Sequence, residues 1–148
     1  MNVSGQSEQN VDKLNSLLKG EISAVETYRQ ALDKVKDVQA RSELEECARS
    51  HQSRVQTLRD RIQQMGGTPA NSSGAWGTFA KLVEGVATPF GDKAAIAALE
   101  EGEDHGLADY RREIPALDGD SRSFVEAELL PAQERTHRAL STLKKTMN

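Results

Sequence analysis

Apolar residues recur every three or four positions over segments far too long for strands, and this spacing constrains the chain most. From Val11 to Val35 they fall at Leu14, Leu17, Leu18, Val25, Tyr28 and Leu32. A second run, ending near Met65, holds Leu44, Cys47, Ala48, Val55, Leu58 and Ile62. A third holds Ile96, Leu99, Leu107, Tyr110 and Ile114, and a fourth Leu129, Leu140 and Leu143. Each is the single stripe of an amphipathic helix. The expected fold is all-α: two antiparallel helical hairpins forming a four-helix bundle.

The stops between stripes give the boundaries. Residues 1–10 are polar and are expected to be loose. The first break, near Lys36-Asp37, has neither Gly nor Pro; Asp37 is a candidate cap, as is Ser42, which forms a capping box with Glu45. Gly66-Gly67-Thr68-Pro69 ends the second helix. Residues 66–91 then read as a long crossover with a short helix of its own, capped by Ser72 or Ser73. It carries Trp76, Phe79, Leu82, Val83 and Val86 on one face. Asp92 is a candidate cap for the third helix and Pro115 closes it. The last helix starts near Ser121–Ser123, and Pro131 inside it predicts a kink or short break. The 148 residues are read as one domain.

Composition narrows the function. A net charge of −4 without clustered positive residues argues against nucleic-acid binding. No stretch reaches the ~20 apolar residues that cross a bilayer, and the polar start lacks signal-peptide character. The expectation is a cytoplasmic protein without a membrane partner. A single cysteine, Cys47, rules out an internal disulfide.

The informative residues interrupt the stripes. At ~100° per residue, Glu21 falls amid Leu14, Leu18, Val25 and Tyr28. His51 falls amid Leu44, Val55 and Leu58. Glu103 falls amid Leu99, Leu107 and Tyr110, with Glu100 one turn earlier on the same face. An unpaired buried carboxylate costs several kcal/mol, so three such helices need a shared remedy. A common metal ion is one and pairing with each other is the other; for Glu21, a Lys or Arg of a neighbouring helix is a further candidate partner. Tyr28 and Tyr110 lie on inner faces, as core aromatics or as hydrogen-bond donors to the carboxylates.

Height supports convergence. In a hairpin, residues lie level when the turn is midway between them. The midpoint of Glu21 and His51 is position 36, inside the first expected turn. Those of Glu103 with Glu134 and with His137 fall between 118 and 120, inside the second. Glu134 and His137 form a Glu-x-x-His pair, able to chelate from one helix face. The periodicity of the last helix argues otherwise: His137 lies roughly 90° from the arc of Leu129, Leu140 and Leu143, and Gln133 is more inward than Glu134.

These residues resemble the ferritin-like superfamily in its rubrerythrin and di-iron carboxylate sense. More closely, they resemble a bacterial branch of it described only as a domain of unknown function. The matching stretches are LNSLLKGEISAVETY, the GGTP turn with SGAWGTF after it, LEEGEDHGLADY and LLPAQERTHRAL. The resemblance implies a ferritin-like bundle with a carboxylate/histidine metal site. Its ligands would be Glu21, His51, Glu103 (or Glu100), Glu134 and His137. Iron, one or two ions, is the implied metal, with zinc or manganese as alternatives.

One position departs from that pattern: three residues before His51 stands Ala48, where the family pattern has Glu. Three readings follow. One is a metal-binding bundle, iron-reactive if competent, with Cys47 as a conceivable soft ligand. The second is a non-catalytic, stress-associated or interaction protein that kept the bundle and lost the site. The third is a partner-binding module, a homodimer or higher homo-oligomer formed through the crossover stripe.

Overall fold

A computed structural model describes residues 3–73 and 91–147. It is all-helical, with no strand among the described residues. Helix α1 spans Val3–Lys34 and α2 spans Val38–Gln64. Helix α3 spans Gly91–Glu113 and runs into a 3-10 turn at Ile114–Ala116. The last rod has three pieces: α4 at Gly119–Phe124, a π-helical turn at Val125–Leu129, and α5 at Leu130–Thr146. Helix α1 packs against α2 and α3, while α5 packs against α3 and, less closely, α2.

The α1–α2 turn shows how a connection without Gly or Pro is closed. The Asp37 carboxylate caps α2 by accepting from the Ala40 amide at 2.8 Å. Arg41 donates to the Leu32 carbonyl and to that of Val35 at 3.0 Å, satisfying the end of α1. Asp92 reaches over from α3 and accepts from the Lys36 and Asp37 amides at 2.9–3.1 Å. Asp92 therefore pins α3 to the first hairpin. It lies within the helix, which starts at Gly91, and is not the cap expected from sequence. Asp37, not Ser42, caps α2.

Two other expectations are corrected. Residues 3–10 continue α1 as one rod; Asn10 is buried and its side-chain oxygen accepts from the Asp118 amide at 3.2 Å. That bond ties the first rod to the second hairpin turn, which is why the polar start is held. The kink or short break expected at Pro131 lies slightly earlier, as a wide π turn at Val125–Leu129 that interrupts the α-helix. A proline lacks an N–H and its ring crowds the carbonyl four residues back. A wider turn relieves both and lets the rod continue. The crossover helix, its apolar stripe and its caps fall largely on residues outside the described ones.

The second turn of sequence behaves as read. Gly66 takes φ +80, a backbone that disfavours side chains, and the Gly67 amide donates to the Ile62 carbonyl at 2.9 Å. Among the described residues the apolar core has two parts. One, near the α1–α2 turn, contains Val35, Leu44, Ile96, Leu99, Leu140 and Leu143. The other, at the far end, contains Leu14, Leu18, Leu58, Ile62, Leu117, Phe124 and Leu129. Between them lies a polar layer.

Candidate functional site

That layer gathers one ionisable group from each of three rods. Glu21 comes from α1, His51 from α2 and Glu103 from α3, each 3% exposed. His51 Nδ1 lies 2.5 Å from Glu21 Oε1, and its Nε2 lies 2.7 Å from Glu103 Oε2. The imidazole is thus clamped between two carboxylates. Only the imidazolium carries a proton on both nitrogens, so this arrangement calls for the charged ring.

A fourth ion completes the layer. Arg54, one turn after His51 on α2 and 3% exposed, donates from Nη1 to Glu21 Oε2 at 3.1 Å. The same nitrogen donates to Gln133 Oε1 at 2.5 Å. Its Nη2 donates to the Thr136 and Ser50 hydroxyls at 3.0 and 3.1 Å, and Nε to the Ser50 carbonyl at 3.4 Å. All five guanidinium protons have acceptors, which a lysine could not reproduce.

The carboxylates are equally saturated. Glu21 Oε2 also accepts from Tyr110 at 2.5 Å. Glu103 Oε2 accepts from Tyr28 at 2.6 Å, and its Oε1 accepts from Gln133 and Thr136 at 3.0 and 2.8 Å. Among the described residues no buried side-chain nitrogen or oxygen lacks a partner. Among the described residues two negative and two positive groups share the layer, so their charges balance.

Protonation follows from these neighbours. Burial alone would raise Glu21, but the charges of Arg54 and His51, with hydrogen bonds from His51 and Tyr110, outweigh it and hold the carboxyl near 2. Glu103 is lowered too: burial opposes, and the charge and hydrogen bond of His51 prevail. Burial pushes His51 down, yet Glu21 and Glu103 together carry it above its ordinary value. Burial, then Glu103 and Glu21 respectively, push the Tyr28 and Tyr110 hydroxyls well up, keeping them as donors. Burial pushes the Cys47 thiol up to about 12, so in this layer it stands as a neutral core group.

The six residues singled out from sequence do not meet at one point. Glu21, His51 and Glu103 converge. Glu134 and His137 lie outside that layer, because the buried positions of α5 are Ala132, Gln133, Thr136, Leu140 and Leu143. The inward pair is Gln133 and Thr136, one residue earlier than Glu-x-x-His at each place. Glu100 and His137 gather at the surface instead. His137 Nε2 lies 2.5 Å from Asp104 Oδ1, and donor atoms of Glu100, Asp104 and His137 all lie within 4.8 Å of one another. This group could hold a metal ion.

The interior fits a two-iron centre poorly. It offers two carboxylates and one imidazole; Ala48 and Gln133 stand where further carboxylates would be needed. The imidazole faces a different carboxylate with each nitrogen rather than turning one lone pair to a common point. Arg54 Nη2 lies 3.4 Å from His51 Nε2, so a permanent cation already sits among these donors and repels another.

Arg54, Gln133 and Thr136 are the members that sequence reasoning did not name as site residues. Arg54 had a legible signal: it is three residues after His51 and four before Leu58, on the inner face. Its midpoint with Glu21 falls between 37 and 38, beside the first turn.

Comparison with known proteins gives two findings. A curated relative, the 3-demethoxyubiquinol 3-hydroxylase of Coxiella burnetii (strain Dugway 5J108-111), is 25% identical over 126 residues. The match covers 83% of this chain and 59% of that protein, so the chain spans well under two thirds of the relative's length. No helix among the described residues is long and apolar enough to cross a membrane. A family profile matches residues 9–115, from within α1 to the 3-10 turn after α3, and by this match the chain belongs to the family described as Domain of unknown function (DUF2383).

Proposed function

We propose that this chain is a ferritin-like four-helix bundle in which an organic ion network stands in for the interior metal centre. On this reading it works as a metal-independent, non-catalytic interaction protein. The observation that carries it is Arg54: a guanidinium 3.1 Å from Glu21, with every donor used, supplies the positive charge that the buried carboxylates require. The substitution of Ala48 and the inward Gln133 and Thr136 support the same reading, since each replaces a donor that a metal would need. Likeness to a hydroxylase at 25% identity over part of its length supports a common bundle more than a common activity. Elemental analysis of protein purified without chelator tests this. Sub-stoichiometric Fe, Mn and Zn, with a melting temperature unmoved by chelator, is expected. A stoichiometric metal that survives His137→Ala but not His51→Ala contradicts it.

A second reading is favoured by one observation, the close approach of Glu100, Asp104 and His137. Two carboxylates one turn apart on α3 and an imidazole from α5 form a mixed oxygen and nitrogen donor set, suited to zinc, manganese or iron. Lys144, 3.4 Å from Glu100, competes for the site. Calorimetric titration with zinc or Fe(II) tests it: binding to the wild type that disappears in His137→Ala supports a surface cation site, and no binding refutes it.

A further inference from the structure

At the end of the molecule that holds the α1–α2 turn, α2 and α5 part. They leave an open groove of about 720 Å³. Leu143 and Met147 form apolar parts of its lining, continuous with the core beneath. Asp37 and Glu43 line it from the α2 side, and Arg135 and Arg138 from α5. Among the described residues, neither arginine forms an ion pair with either acid. Val38, 83% exposed and between groove-lining Asp37 and Gln39 in sequence, is the large apolar side chain left most open among the described residues.

Both signs of charge on facing walls restrict what fits. An occupant of one sign complements one wall and opposes the other. A second copy of this chain, turned by a two-fold axis, complements both: its α5 arginines meet the α2 acids, and its α2 acids meet the α5 arginines. Such a pairing repeats every favourable contact and covers the apolar floor and Val38.

We infer that the α2–α5 groove is a self-complementary dimer interface, held by Glu43 of each copy against Arg135 and Arg138 of the other. This goes beyond the proposed loss of the interior metal and is independent of it, since none of these side chains belongs to the buried network.

Sedimentation velocity across the micromolar range, with circular dichroism to verify folding, tests the interface. The wild type is expected to be a dimer. Glu43→Arg and Arg138→Glu, both at exposed positions, are each expected to weaken it by about a hundred-fold or more, because like charges then face each other. Mixing the two variants in equal amounts is expected to restore a dimer, since one copy then carries basic groups on both walls and the other gains acids. A wild type that stays monomeric overturns the inference. So does a dimer indifferent to both substitutions, or a mixture that stays monomeric.

Discussion

Arg54 and Glu21, from neighbouring rods and each 3% exposed, form an ion pair at 3.1 Å in the centre of the helical bundle. The pair closes a network that also contains His51, Glu103, two tyrosine hydroxyls, Gln133 and Thr136. Its energy lies in completeness: replacing the whole set by apolar residues can be neutral, whereas removing one partner strands the others.

Arg54→Met is therefore expected to lower stability by about 3–5 kcal/mol, the usual cost of leaving a buried charge without its partner. Arg54→Lys keeps the charge but loses the planar fork, so it should fall between wild type and Arg54→Met. Urea titration followed by circular dichroism measures both. A near-neutral Arg54→Met contradicts the network's role.

Tyr28→Phe and Tyr110→Phe each remove a hydrogen bond to a buried carboxylate without changing shape. Losses of about 1.5–3 kcal/mol are expected, the range for bonds to charged groups. The double variant should cost more than the sum of the two, since both carboxylates clamp one imidazole. Additive losses would show that the tyrosines act separately.

Gly106 carries a packing prediction with a change of sign. A Cβ there would come within 2.7 Å of Gln133 Nε2, so Gly106→Ala should destabilise by displacing Gln133 from Glu103. In a Gln133→Ala background that contact is gone. The same substitution should then stabilise by about 0.5–1 kcal/mol, as expected for alanine replacing glycine within a helix. Thermal denaturation of the four proteins decides it.

Stability should depend on pH on both flanks. Glu21 titrates near 2 when folded against 4.5 when free. Its contribution is thus present above 4.5 and is lost as pH falls toward 2. His51 is raised above 6.5, so its contribution is full below 6.5 and is lost as pH rises through the higher folded value. Maximum stability is expected between these two ordinary values. His51→Asn should flatten the alkaline flank, and an unchanged flank would assign it to another group.

Much of this was legible in the sequence. The stripes named the helices, and the midpoint rule put Glu21 level with His51, and Glu103 level with Glu134 and His137, because helical rise and a short turn leave little freedom in a hairpin; it did not relate one hairpin to the other. The alternatives of arginine pairing and tyrosine donors were also readable, and Arg54, Tyr28 and Tyr110 fill those roles. Rotation of the last rod was harder. Its Glu-x-x-His motif pointed to Glu134 and His137, while its leucines pointed to Gln133. The π turn before Pro131 is set by local sterics that apolar periodicity does not register. The gathering of His137 with Asp104 and Glu100 depends on that rotation, so it was not legible either.

The protonation of His51 tests the central claim most directly. Long-range proton–nitrogen correlation spectra of labelled protein at neutral pH report both ring nitrogens. The network predicts an imidazolium with both nitrogens protonated, unchanged when Fe(II) or zinc is added. A neutral ring, or one that loses a proton to an added metal, would contradict an interior neutralised by Arg54 and His51.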